Sequence, residues 1–137
     1  MSFISFVRQR NGSALSEFAI AVPVLIILVF SSTQAARMYV AQQAVSQAAS
    51  LGARAAATLG DTPTVRNWID VQLAAAGLTS SQITIGAPMW CWGHTVEVTV
   101  KAPFTLSLPL VGDISFELAA TEQGVIARDM DALCPSH

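Results

Sequence analysis

The chain has 137 residues, 53% of them hydrophobic and 12% charged, with a formal net charge of -2 and a mean hydropathy of +0.52. That is too apolar for a soluble domain throughout, and the seven Lys and Arg residues are scattered, which argues against a nucleic-acid partner. The apolar excess lies at the front, and the stretch after Thr58 has the composition of an ordinary small domain, near the size at which a single core is marginal.

Phe18 to Phe30 contains no polar side chain. As a helix rising about 1.5 Å per residue it covers about 20 Å, short of the roughly 30 Å hydrocarbon core of a bilayer. Continuing through Ser31, Ser32, Thr33, Gln34, Ala35 and Ala36 gives about 28 Å, because hydroxyl side chains can bond back to their own helix. The sequence therefore predicts a single transmembrane helix over residues 13–36, crossing hydrocarbon from Phe18 to Ala36, with Arg37 at the far surface. Pro23 removes a backbone donor inside this helix and is expected to bend it. Arg8 and Arg10 precede the span and place the N-terminus in the cytoplasm and the rest outside it, although Arg37 weakens that asymmetry. Glu17 is out of place, since an acid costs roughly 3 kcal/mol at the centre of a span and less toward its edge. A secretory signal peptide is the alternative, with Thr33-Gln34-Ala35 as a cleavage site. Glu17 and the unbroken helical sequence beyond Ala35 speak against it.

Arg37 to Leu59 has no proline and is rich in alanine and glutamine, which predicts that the helix continues outside the membrane over residues 37–59. Ala44, Ala48, Gly52 and Ala56 form a small-residue stripe that would let a sheet or another helix approach closely, within its own domain or in a partner. Gly60-Asp61-Thr62-Pro63 ends this helix and starts a second one, with Thr62 as N-cap and Gly77 at the close. Val65, Trp68, Ile69, Leu73 and Ala76 recur at helical spacing and are read as its core face, Trp68 included. From Gln82 the period becomes two: Ile83 and Ile85 mark a short strand, Val96, Val98 and Val100 a second, and Ile114, Phe116, Leu118 and Ala120 a third. The fold class is α+β, with residues 60–137 forming a small head in which two or three antiparallel strands pack on helices.

Cys91 lies in Met89-Trp90-Cys91-Trp92-Gly93-His94, and Cys134 in Cys134-Pro135-Ser136-His137. Outside the cytoplasm two cysteines favour one disulfide, although each also opens a Cys-x-x-His pair, so Cys91, His94, Cys134 and His137 could instead form a zinc set, and free thiols stay open. Trp90 and Trp92 would share a face if the stretch is extended. No nucleophile elbow or phosphate loop is present, and Asp129 and Asp131 would diverge on a helix. The chain is therefore expected to be non-catalytic and to need no cofactor.

Gly12-Ser13-Ala14-Leu15-Ser16-Glu17-Phe18, then Ala-Ile-Ala-Val-Pro23 and an aliphatic run, resembles the TadE-like pseudopilins of tight-adherence (Tad) pilus systems. Gln42-Gln43-Ala44-Val45 with Gly52-Ala53-Arg54 is similar to that family's helix after the membrane, and Val98 to Phe104 with Leu108-Pro109-Leu110 to its strand and turn. Gln34-Ala35-Ala36-Arg37 departs from the family, which often has an acid or a glycine before the arginine. The resemblance implies a basic leader over residues 1–12, cut by a prepilin peptidase between Gly12 and Ser13. It also implies that Glu17, beside Phe18, sets subunit register by pairing with a neighbour's N-terminal amine. The protein would then be a minor pilin of the bacterial inner membrane, its head periplasmic or extracellular, with the membrane and other pilin-like subunits as partners. An uncleaved single-pass accessory subunit of another membrane complex is the second reading, and a secreted domain the third.

Overall fold

The computed structural model describes residues 4–108, 112–131 and 134, with side chains from residue 14 onward. A long helix α1 (Ile4–Leu59) is followed by a second helix α2 (Pro63–Ala75) and three strands, β1 (Gln82–Gly86), β2 (Thr95–Leu108) and β3 (Gly112–Val125). The strands form one antiparallel sheet in the order β1-β2-β3. This is an α+β fold built on a helix far longer than its head.

Helix α1 begins before Gly12, so the segment expected as a leader is helical as far forward as Ile4. A single interior glycine costs a helix only about 1 kcal/mol, and nothing else from Ile4 to Asn11 opposes one. Pro23 lies within the same helix. Ser32 and Thr33 donate back to the Val29 carbonyl at 2.8 and 3.0 Å, which removes the cost of two hydroxyls on an apolar surface. Gly60, at φ +73°, ends the helix, and its N–H donates to the Ala56 carbonyl at 2.9 Å.

Thr62 is the extended N-cap of α2 and Pro63 follows in the first turn, but the Thr62 hydroxyl makes no capping bond. The entry is held instead by Arg66, whose guanidinium donates to both Asp61 carboxylate oxygens at 2.8 and 2.7 Å and to the Ile83 carbonyl at 3.0 Å, tying α2 to β1. The hydrogen bond to Asp61 holds the Arg66 pKa above its usual value. At the other end Leu78 N–H donates to the Leu73 carbonyl and Gly77 N–H to that of Ala74, with Gly77 at φ +71°. That is a Schellman motif, and Leu73 and Leu78 are both buried beside it.

The core lies between the sheet and the second half of α1. Ala41, Val45, Ala48, Ala49, Ala53 and Ala56 of α1 meet Val96, Val98, Val100 and Ala102 of β2, with Val65, Ile69 and Leu73 of α2 closing one side. Val96, Val98 and Val100 face inward while Thr95 and Glu97 face solvent, as their alternation requires. Trp68, expected in the core, is 43% exposed. Val65, Ile69 and Leu73 follow one another at four-residue steps and take the inward face, leaving Trp68 about 100° around the helix from Ile69. Ala76 is exposed as well, because it stands past the last turn.

Candidate membrane and assembly surface

Helix α1 changes character along its length. Leu15, Phe18, Ile20, Val24, Leu25, Ile26, Leu28 and Val29 are exposed on every side. A helix that is apolar all round and unpacked is suited to hydrocarbon. Among the described residues α1 is the one helix long and apolar enough to cross a membrane. From Ala41 the exposure becomes one-sided, with a buried stripe against the head. The two halves are one helix, so the head sits directly on the apolar segment without a linker.

The small residues of the stripe are used within the chain. A Cβ placed on Gly52 would stand 2.6 Å from Ile69 Cδ1 and 3.1 Å from Val98 Cγ1. Helix α1 thus touches α2 and β2 at one point where no side chain fits. A second close approach, not anticipated from the sequence, is at Gly124: a Cβ there would lie 2.6 Å from the Ala53 carbonyl oxygen. A glycine inside an otherwise regular strand is the signal that marks it. Further along, Gln42 Nε2 donates to the Ala119 carbonyl at 3.2 Å, and Ser46 donates to Glu122 at 3.4 Å. These contacts run β3 alongside α1.

Gln34 is the one buried polar side chain among the described residues, 6% exposed, and its Oε1 has no hydrogen-bond partner. It lies seven residues before Ala41, two helical turns along the same face, and so belongs to the surface that meets the sheet rather than to a lipid-facing one. Nearby, Thr33, Ala36, Arg37 and Val40 of α1 and Pro103, Phe104 and Thr105 of β2 line an open cleft of about 590 Å³.

Cys91 and Cys134 are joined by a disulfide, their Cα atoms 5.5 Å apart. The bond ties the C-terminal segment to the loop before β2, and Met130 N–H adds a bond to the Trp90 carbonyl at 2.9 Å. With both sulfurs bonded to each other, the four-ligand zinc set is not assembled. The third potential ligand beside the sulfurs is Asp129 rather than His94. Asp129 accepts the Trp92 N–H at 2.7 Å, and His137 lies outside the described residues. Trp90 and Trp92 do not share a face. Gly93, at φ +82°, and the bond from His94 N–H to the Cys91 carbonyl make this stretch a turn, with Trp90 half-buried and Trp92 exposed.

Of the residues singled out for processing and register, Gly12 and Ser13 lie within the helical stretch of α1, and Glu17 and Phe18 stand exposed on it, about seven turns before Gln42 at the head contact. The fold brings neither pair to the head. Residues 12–54 match the model of a family described as TadE-like protein. The matched stretch runs from Gly12 through the apolar run to Arg54, just past the Gly52 contact. No curated protein and no solved structure matches the chain.

Proposed function

We propose that this chain is a pilin-like structural subunit, anchored by α1 in the bacterial inner membrane, that supports assembly of a Tad-type pilus and performs no catalysis. The observation that carries the reading is the extent of the family match along α1. The family match over residues 12–54 begins at the proposed processing glycine, takes in the whole exposed apolar stretch, and ends within the packed stripe. In this reading residues 1–12 are a leader, 13–36 the anchor, 37–59 its extracytoplasmic continuation and 60–137 the rest of the head. Arg8 and Arg10 mark the cytoplasmic side, and the head is periplasmic or extracellular. A disulfide suits that compartment.

Glu17 then has a use. Once a prepilin peptidase frees the Ser13 amine, the carboxylate of one subunit pairs with the amine of the next, a charge-assisted contact that is strong where water is excluded. Leaving such a buried charge without its partner costs roughly 3 to 5 kcal/mol, which disfavours wrong stacking. Intact mass with N-terminal sequencing of the native protein tests the reading. A chain starting at Ser13, and a Gly12→Val variant retaining the leader, are expected. Wild type and variant both starting at Met1 would favour an uncleaved accessory subunit, and a start at Ala36 a secreted domain.

A further inference from the structure

Strand β2 outruns its neighbour β1. Their pairing ends where Lys101 meets Gln82, and the Lys101 carbonyl accepts the Ser81 N–H at 2.8 Å. Backbone groups alternate sides along a strand, so those of Pro103 and Thr105 point the same way as those of Lys101, where no strand lies opposite. Pro103 has no N–H, but Thr105 has one, and it finds no backbone partner among the described residues. This open edge is one wall of the cleft of about 590 Å³. Helix α1 lines it with Thr33, Ala36, Arg37 and Val40, and the turn after α2 with Gly77 and Leu78.

Among the described residues Arg37 is the one charge that lines the cleft. It is exposed, and it makes no ion pair or hydrogen bond with any described residue. The guanidinium, the Thr105 N–H and the Thr105 hydroxyl therefore border one space with donors to offer, which suits an anion rich in acceptor oxygens. The end of α2 does not oppose it. Its Leu73 and Ala74 carbonyls are taken by the Leu78 and Gly77 N–H groups. The rest of the lining, Val40, Leu78 and Phe104 above all, is apolar. Arg37 is also the first charge along α1 after Glu17, so the exposed apolar surface of the helix adjoins the cleft on its N-terminal side.

We propose that this cleft holds the head of one anionic phospholipid, phosphatidylglycerol or its like, with the phosphate on Arg37 and Thr105. The proposal rests on α1 being the membrane anchor, whose apolar surface the acyl chains follow. Charge and continuity select this occupant. A free phosphate would meet the cation but leave Val40, Leu78 and Phe104 uncovered, whereas a lipid carries apolar groups to lay on them. The Pro103 and Thr105 carbonyls on the open edge can accept from the hydroxyl groups of the glycerol head. An extended strand of a partner is the other occupant that an open edge invites. Pro103 counts against it, since it has no N–H to give to a strand laid there. The volume lies within the range usual for small-molecule sites, roughly 300 to 1,000 Å³.

The full chain is extracted from membranes in mild detergent, stripped of lipid and titrated with phosphatidylglycerol, and native mass spectrometry counts the bound lipid. One lipid per chain is expected. Arg37→Gln should bind it about tenfold more weakly, the loss of one charge-assisted contact, and because Arg37 is exposed and unpartnered the variant should fold. Ala36→Trp, which keeps the charge and fills the cleft, should weaken binding as well. Arg54→Gln makes the same change of charge elsewhere on α1 and should bind like the wild type. Equal losses in Arg37→Gln and Arg54→Gln would mean diffuse attraction and overturn the proposal. So would wild-type binding by Ala36→Trp, which would put the lipid outside the cleft. Displacement of the lipid by an equal concentration of inorganic phosphate, or dimers that carry no lipid, would assign the site to a free anion or to a second copy and overturn it too. Alkaline carbonate washing of the membranes keeps the two readings apart. A chain that stays with the membrane and binds no lipid sinks this proposal alone, whereas a chain released to the soluble fraction removes the anchor and the proposal with it.

Discussion

Replacing Gly52 with alanine sets two effects of known sign against each other. Gly52 is in a helix interior, where alanine is better by about 1 kcal/mol. The new Cβ would stand 2.6 Å from Ile69 Cδ1, 3.0 Å from Ile69 Cγ1 and 3.1 Å from Val98 Cγ1. Cδ1 is the far end of a side chain and could swing, but Ile69 is fully buried, so it has little room. Val98 is also fully buried and β-branched, and its methyl is stiff. Overpacking of this kind costs about 1 to 3 kcal/mol, which offsets or exceeds the gain in helix propensity. Gly52→Ala is therefore expected to be between neutral and about 2 kcal/mol less stable.

A double-mutant cycle sharpens the measurement. Ile69→Val deletes Cδ1, the nearest atom, and alone costs about 0.5 to 1.5 kcal/mol by leaving a gap. In the Gly52→Ala background the new Cβ takes up that gap, so the two changes should cost less together than apart, with a coupling of about 1 kcal/mol. Urea unfolding of the full chain in detergent micelles, followed by tryptophan fluorescence, reads all four variants. Gly52→Ala more stable by about 1 kcal/mol, with additive behaviour toward Ile69→Val, would show that α1 and α2 do not approach this closely.

Gly124→Ala should be worse than Gly52→Ala in the same assay, because its Cβ would meet the Ala53 carbonyl oxygen at 2.6 Å, a backbone atom that cannot rotate away; equal midpoints would contradict this. Replacing Cys91 and Cys134 by serine removes a bond across a sequence separation of 43, worth about 4 kcal/mol in the chain-entropy model. The loss should appear as a lower unfolding midpoint that reductant reproduces in the wild type, and an unchanged midpoint would refute it. Arg66→Lys keeps the charge but loses the two-pronged contact to Asp61 and the bond to Ile83, for about 1 kcal/mol, since the ion pair is partly solvent-screened. Its raised pKa means that the stabilisation is present at neutral pH and lost only in the strongly alkaline range, so the difference from wild type should not change between pH 6 and pH 9, roughly, as folding measurements at both can check. Glu17→Ala should leave membrane insertion intact while weakening co-purification with other pilin-like subunits, and undiminished co-purification would remove the register role.

The order and type of the elements were legible because each has its own period. Val96, Val98 and Val100 could only alternate across a half-buried strand, and Val65, Ile69 and Leu73 could only line a helix face. Trp68 misled because helical spacing admits a wider arc than the neighbours leave open, and its size argued for burial where its angle did not. Trp90 and Trp92 depended on an extended backbone, which Gly93 turns. The small-residue stripe was visible, but its counterpart was not: whether Gly52 faced a partner or its own domain depends on Ile69 and Val98, distant in sequence. Gln34 was unreadable for a related reason, since a lone glutamine after an apolar run gives no sign that a hairpin far along the chain returns to its face of the helix.

The junction of anchor and head is then a matter of stiffness. A flexible linker would let the head turn freely about the membrane normal, whereas here α1 enters the core without interruption and is held at two close approaches, Gly52 against the Ile69 and Val98 side chains and Gly124 against the Ala53 backbone. A rotation or shift of the helix is therefore passed to the sheet packed on it. If Glu17 sets the register between subunits, the same event sets the direction in which each hairpin and each exposed Trp92 points. Loosening the two glycine contacts should then disturb assembly even with Glu17 intact, because the heads would no longer follow their helices. Normal assembly by a Gly124→Ala variant that still folds would separate the two, leaving register to the membrane segment alone.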